Sequence, residues 1–297
     1  MKDQVILITG SSGFLGTHFV QELEKENQVI TLSRNKSSDI ILDLSKSIPE
    51  LPKIDIVIHC AGKAHSIPKT KEDADAFYIV NYQGTKNLFA GLKPSIKTLR
   101  SFIFISTVAV YGLEKGENIV ESTPLNGSSP YAKSKIHAEE LVLRWTKENN
   151  INFSILRLPL IFGWNAPGNL GDLIKKIKQG FGIKISNLEA KKSVVLIDDI
   201  AEQLEKFINA NDTFNLTDGH HPTFNNIVDT ISKKYGKKPI SINLKLLQWV
   251  AKIGDRWGNF FPLNSSKVNK INSSLTFSDE RARKDVGWNS RRVVDTP

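Results

Sequence analysis

The chain carries a single cysteine, Cys60, in 297 residues. An internal disulfide is excluded, and a reducing compartment, the cytoplasm, is the expected setting. Long apolar runs are missing as well. Val5-Ile6-Leu7-Ile8 gives way to Thr9-Gly10, which leaves it too short for a signal-peptide core. No later run approaches the roughly 20 apolar residues that span a bilayer, so no membrane span is expected. Repeats and low-complexity tracts are absent, and no His, Cys or Asp set has metal-ligand spacing; His65 and His137 stand without partners at any such spacing. There is no concentrated basic tract either. The net charge of +9, from 40 Lys and Arg against 31 Asp and Glu, is dispersed in doublets such as Lys175-Lys176, Lys191-Lys192 and Arg291-Arg292. A nucleic-acid binder gathers its charge on one face among aromatics, so that class is not expected. Solvated helix faces account for the doublets, with attraction of an anionic small substrate as the second reading.

What is present is a composition of 40% hydrophobic and 24% charged residues, ordinary for a folded globular protein. Strand-like runs at Val5–Thr9, Gln28–Ser33, Ile56–His59, Phe102–Ser106 and Phe153–Leu158 alternate with helical segments. That alternation predicts an α/β fold with a doubly wound parallel sheet. The two clearest helices, 77–92 and 131–149, carry apolar residues at three- and four-residue spacing. After Arg157 the rhythm becomes irregular. The expected organisation is a dinucleotide-binding domain over 1–160, with 193–217 returning to it, and a smaller interleaved lobe formed by 161–192 and 218–297.

Thr9-Gly10-Ser11-Ser12-Gly13-Phe14-Leu15-Gly16 follows the first strand and opens a helix. Gly10 permits the tight turn, Gly13 lets backbone approach a pyrophosphate, and Gly16 allows close packing of helix on strand. The N–H groups at the helix start complete a phosphate site. At the end of the second strand, where an acid would accept bonds from the ribose of NAD, the chain reads Ser33-Arg34. A guanidinium there can pair with the 2′-phosphate of NADP, so NADP is slightly favoured; a plain surface arginine is the alternative.

Tyr131 and Lys135, four residues apart, share one face of a helix. A free tyrosine has a pKa near 10, and a cation one turn away favours its phenolate, which suits proton exchange near neutral pH. The pair follows a strand ending Ile105-Ser106-Thr107.

The Gly-x-x-Gly-x-x-Gly spacing, with this order of strand and Tyr-Lys helix, resembles the extended short-chain dehydrogenase/reductase family of nucleotide-sugar epimerases, dehydratases and reductases. The resemblance runs from Val5 to about Trp288 and implies a Rossmann fold, NAD(P) as cofactor and a nucleotide-diphosphate sugar, UDP-linked first, as substrate. It implies a catalytic triad of Thr107, Tyr131 and Lys135, with Ser106 as the hydroxyl beside the substrate. Thr107 would bond the substrate oxygen with which Tyr131 exchanges a proton, and Lys135 would bond the nicotinamide ribose. Around the cofactor it implies Asp43 and Leu44 near adenine, Cys60, Ala61 and Gly62 at a strand end, and Asn81 as an organiser near the lysine. His59 is read as a packed strand residue. Lys192, ahead of Ser193-Val194-Val195-Leu196-Ile197-Asp198, is a candidate for the substrate diphosphate, with an exposed lysine as the other reading.

Dehydratases of the family carry Asp-Glu after the hydroxyl residue, whereas this chain has Val108-Ala109. Neither can transfer a proton, so simple hydride transfer at one carbon remains. The leading expectation is a nucleotide-sugar 4-epimerase making sugars for surface polysaccharides. Reduction of a 4-keto sugar with NADPH is the alternative, and a non-catalytic NAD(P)-binding regulator is a third. In relatives the helix pair forms a dimer interface, so a homodimer is expected, through Phe77, Val80, Leu88, Phe89, Ile136, Leu141, Val142 and Trp145. The aromatic stretch Trp249–Pro262 reads as a lid or core helix, with contact to a membrane surface as the minor alternative.

Overall fold

The computed structural model describes residues 2–64, 66–257 and 265–296; His65 and the end of the aromatic stretch, 258–262, lie outside them. Seven parallel strands form the main sheet, in the order β11-β7-β5-β4-β1-β2-β3. They are β1 (Val5–Thr9), β2 (Gln28–Ser33), β3 (Ile40–Ile41), β4 (Ile56–His59), β5 (Ser101–Thr107), β7 (Asn152–Leu158) and β11 (Asp212–Asn215). Three two-stranded sheets flank it: β8 (Leu160–Phe162) with β10 (Val194–Leu196), β9 (Ile183–Ser186) with β12 (Ile240–Asn243), and β6 (Gly116–Ile119) with β13 (Leu275–Phe277).

The strands read as unbroken apolar runs because both faces of the sheet are covered. Alternate residues go to opposite sides. Ile6, Ile8, Ile56, Ile58, Ile103 and Ile105 pack on one face against Phe19 and Leu23 of α1 (Phe14–Leu23). Leu7, Val57, Phe102 and Phe104 pack on the other against Leu88 and Phe89 of α3 (Gly84–Gly91) and Val142 of α4 (Pro130–Asn149). Each such side chain, fully buried, contributes about 1.5–3 kcal/mol.

The segment between β4 and β5 starts earlier than its apolar spacing suggests. Thr70 and Asp73 form a reciprocal capping box that opens α2 (Lys71–Tyr78) in a polar first turn, invisible to hydrophobic periodicity. A π turn, Ile79–Gln83, joins α2 to α3 and carries Asn81. α4 opens on Ser129, whose hydroxyl accepts from Ala132 N–H at 3.1 Å, with Pro130 at the first helical position. It ends at Asn150 in the left-handed region, φ 54°.

Within 193–217 only β11 joins the main sheet, beside β7; β10 pairs with β8 instead. α6 (Ile197–Glu202) then lies on the α1 side, with Ile200 and Ala201 in the same cluster as Phe19. The remaining helices are α5 (Gly168–Lys178), α7 (Phe224–Lys234), α8 (Leu244–Trp257), α9 (Ser265–Ile271) and α10 (Glu280–Val286). Trp288, after α10, is buried and donates its indole N–H to Thr217 O at 2.9 Å.

The residues expected to make a dimer face are largely spoken for. Phe77, Leu88, Phe89 and Val142 are buried in this chain's own core, and Trp145 stacks on Phe89 at 4.0 Å between centroids. The apolar groups left exposed on these helices are Tyr78, Ile79 and Leu143. Periodicity found the helices but could not say which apolar stripe faces the sheet.

Candidate functional site

Strand order reverses between β1 and β4, since β2 lies on one side of β1 while β4 and β5 lie on the other. A crevice at the carboxyl ends of the strands follows from that topology. Two contiguous hollows fill it, of about 300 Å3 and 190 Å3, sharing Gly10, Gly13, Cys60 and Gly62.

Gly10 adopts φ +66°, and a Cβ on it would come within 2.7 Å of the Ala61 backbone. A Cβ on Gly16 would meet Ser11 Cα at 2.7 Å. The turn between β1 and α1 is therefore closed against any side chain. Gly13 caps α1 with no side-chain acceptor, which leaves the helix's first N–H groups turned to the crevice. This cradle fits the pyrophosphate of a dinucleotide.

At the end lined by Ser12, Ser33, Arg34, Asp43 and Leu44 the surface is open. Ser33 Oγ lies 2.7 Å from Ser38 Oγ and accepts from Asn35 N–H at 2.9 Å. Asp43 accepts from the hydroxyl and N–H of Ser45, at 2.6 and 3.0 Å. Those bonds, with help from the charge of Arg34, hold its carboxyl below the usual range. Arg34 itself is exposed. Ser38, absent from the motif reading, also reaches Ser11 Oγ at 3.3 Å and ties the β2 turn to the glycine turn.

The other end is buried. Thr107, Tyr131, Lys135, Ser106, Asn81, Phe14 and Leu15 line it together. β5 runs past β4, since His59 pairs with Phe104 and Thr107 pairs with Leu158 of β7, so Thr107 stands above the crevice floor. Thr107 Oγ1 accepts from Ala109 N–H at 3.2 Å. Burial raises the Tyr131 phenol above its ordinary pKa, opposed by a hydrogen bond with Thr107. The expected lowering by Lys135 is not what the geometry gives. Lys135 Nζ donates to Ile105 O at 2.6 Å and sits 4.1 Å from the centre of the Phe104 ring, so its charge is drawn down to the strand. Burial lowers its own pKa to about 8, with Glu139 pulling the other way.

Ser106 lines the crevice, and its hydroxyl hydrogen-bonds Glu139. Glu139, four residues beyond Lys135, is buried and ion-paired with Arg157 of β7, Nη2 to Oε2 at 2.7 Å. Arg157 Nη1 also donates to Tyr111 Oη at 3.0 Å, and Tyr111 donates to Asn215 Oδ1 at 2.8 Å. Motif reading missed this chain of contacts. Its one available signal was that Glu139 repeats the Tyr131–Lys135 spacing on the same helix face.

Two further networks brace the walls. Asn81 accepts from Lys63 N–H at 2.7 Å and donates to Ser134 Oγ at 2.8 Å, joining the π turn, the β4 loop and α4. It therefore organises the wall rather than contacting Lys135. Thr85 donates its hydroxyl to Asn81 O, so it accepts from His59 Nε2–H at 2.9 Å; His59 Nδ1 then accepts from Thr9. This neutral imidazole, buried at 1% exposure, has its pKa lowered to about 3 by desolvation. His59 is a brace. Lys192 is not brought to the crevice: its Nζ donates to Lys270 O at 2.8 Å and it lines neither hollow.

A substrate oxygen placed between Thr107 and Tyr131 would meet two hydroxyls and exchange a proton with one of them. No group of three or more His, Cys, Asp or Glu able to hold a metal occurs among the described residues.

The family model for the NAD dependent epimerase/dehydratase family matches residues 6–217. A UDP-glucose 4-epimerase of Vibrio cholerae is 26% identical over 307 residues, covering 95% of this chain and 90% of that protein. The N-acetyl-alpha-D-glucosaminyl-diphospho-ditrans,octacis-undecaprenol 4-epimerase of Escherichia coli O157:H7 is 28% identical over 258 residues, 82% and 76% of the two chains. The crystal structure of UDP-N-acetylglucosamine 4-epimerase from Bacillus cereus superposes with a TM-score of 0.76 at 20% identity, covering 98% of this chain and 95% of that one.

Proposed function

The chain belongs to the NAD dependent epimerase/dehydratase family, and on that premise we propose that it is an NAD(P)-dependent nucleotide-sugar 4-epimerase that makes sugars for surface polysaccharides. One observation carries this reading. Thr107, Tyr131 and Lys135 meet at the buried end of the crevice, while Val108 and Ala109 stand where water elimination would need acids.

The bound dinucleotide would supply a hydride acceptor and donor. The protein's part is to hold and to move a proton. The glycine turn and the first N–H groups of α1 hold the pyrophosphate. Thr107 orients the C4 oxygen, and Tyr131 takes its proton and returns it. Lys135, a mostly charged ammonium at neutral pH with a pKa of about 8, is poised to exchange its bond to Ile105 O for a ribose hydroxyl. Its charge would then face Tyr131 rather than the strand, and only there does it ease loss of the phenolic proton.

The substrate favoured is a UDP-hexose or UDP-N-acetylhexosamine, as the names of the relatives suggest. The test incubates purified protein with these compounds and adds no reductant. The C4 epimer should form without net change in cofactor. A second reading, reduction of a nucleotide-linked 4-keto sugar, is favoured by Arg34 at the open end, where it can meet the 2′-phosphate of NADPH. NADPH consumption with a 4-keto-6-deoxy sugar, and no epimer, would establish it instead. The lone cysteine supports a cytoplasmic setting. A homodimer is proposed through the outer face of α2 and α4, where Tyr78 stacks on Tyr82 at 4.6 Å beside His137 and near Ile79. Light scattering at micromolar concentration checks it; a monomer would remove it.

A further inference from the structure

α8 buries Ala251 and Gly254 and leaves the opposite side open. On that side Leu246, Trp249 and Ile253 are 53%, 62% and 38% exposed. Their spacing of three and four residues lines them into one stripe. Lys245, Lys252 and Arg256, spaced seven and four apart, form a second row directly beside the stripe, all exposed. No ion pair engages any of these three cations among the described residues. The one acid at this end of the helix is turned away: Asp255 accepts from Ser265 N–H at 2.9 Å and from its hydroxyl at 2.5 Å. A groove of about 500 Å3 lies between α8 and α9 on the side of the cations, lined by Lys245 and Lys252 with Trp249 of the stripe. The outer face of α2 differs, since its exposed Tyr78 stacks on the half-buried Tyr82 of the π turn.

From this arrangement we propose that α8 is an interfacial docking helix that seats the enzyme on a bilayer bearing anionic phospholipid headgroups. The stripe supplies Leu246, Trp249 and Ile253 to the headgroup–acyl boundary, where an indole with an apolar body and a polar N–H is well placed. The row of cations faces the phosphates, and each contributes roughly a fivefold gain in partitioning, lost at high salt. One apolar stripe of three residues binds weakly and reversibly, so the two features are needed together. The positive balance of the whole chain, +9, adds attraction at longer range. The inference is independent of which sugar is turned over.

The test is co-sedimentation of the full chain with vesicles of phosphatidylcholine alone or with about 30% phosphatidylglycerol, at low and high salt. Binding is expected only to the anionic vesicles, at least tenfold tighter than to neutral ones, and reversed by salt. The double variant Leu246→Ser/Trp249→Ser should lower binding at least tenfold, and Lys245→Glu/Lys252→Glu should lower it further. Both should keep the wild-type thermal midpoint and cofactor affinity, which separates loss of docking from loss of fold or of catalysis. Three outcomes would overturn the proposal. These are no binding to anionic vesicles at low salt, equal binding to both vesicle types, or binding unchanged in Leu246→Ser/Trp249→Ser. Concentration-dependent self-association that disappears in that variant, without vesicle binding, would overturn it too and assign the stripe to a second copy of the chain.

Discussion

The two ends of the crevice use polar groups in opposite ways. At the buried end three charged groups are enclosed and bonded: Lys135 to Ile105, Glu139 to Ser106 and Arg157, Arg157 onward to Tyr111. At the open end Arg34 is exposed, and the serines and Asp43 bond mainly to their own turn. Low dielectric makes an unpaired group at the first end costly, whereas water screens and replaces contacts at the second. Substitutions should therefore act strongly on chemistry or folding at one end and weakly on affinity at the other.

Replacing Tyr131 with Phe removes the exchangeable proton and keeps the ring against Phe77, 6.0 Å away. Turnover should fall by about two to four orders of magnitude while cofactor affinity holds. Steady-state rates and a binding titration check both halves; a variant keeping most of its activity ends the assignment. Replacing Glu139 with Ala leaves Arg157 buried without its partner, and the expected loss is about 3–5 kcal/mol in urea unfolding. A loss below about 1 kcal/mol would mean that the pair is solvated and the contrast between the ends is false.

Acid should act at the same end through His59. Its folded-state pKa is lowered to about 3, against about 6.5 in the unfolded chain. Between those values the unfolded state binds the proton and the folded state does not, so stability rises with pH and is lost as pH falls from 6.5 towards 3. About 1.6 kcal/mol should go between pH 6.5 and 5. Urea midpoints across that range, compared with those of His59→Gln, isolate the term; parallel curves would contradict it. The smallest effect belongs to the open end. Arg34→Ala should weaken NADP binding by no more than roughly fivefold and leave NAD binding unchanged, since an exposed charge pair contributes little. Equal behaviour of both proteins towards both cofactors would take Arg34 out of the site.

Much of the fold was legible because each signal was local. Val5–Thr9, Gln28–Ser33 and Ile56–His59 are strands at the bounds read from apolar runs and turn residues. Gly10 and Gly16 could be assigned roles because only a residue without Cβ fits a turn closed by backbone. Tyr131 and Lys135 were legible because helical spacing puts them on one face. The capping box at Thr70 was written in the chain too, but in polar residues that hydrophobic periodicity ignores.

What stayed hidden depends on partners distant in sequence. Glu139 and Arg157 look like surface charges until α4 and β7 close on each other, 18 positions apart. Lys192 looks like a diphosphate ligand until Lys270, 78 positions away, takes its ammonium. By itself the chain determined the doubly wound order, the phosphate turn and the helix that carries the Tyr–Lys pair, since these follow from steric limits, side-chain period and capping within short windows. Tertiary structure alone decided which apolar stripes are core and which stay open, as at Val142 and Trp249. It alone decided the electrostatic state of the pair, raising Tyr131 and lowering Lys135, because desolvation is set by what surrounds a group in space and not by its neighbours in sequence.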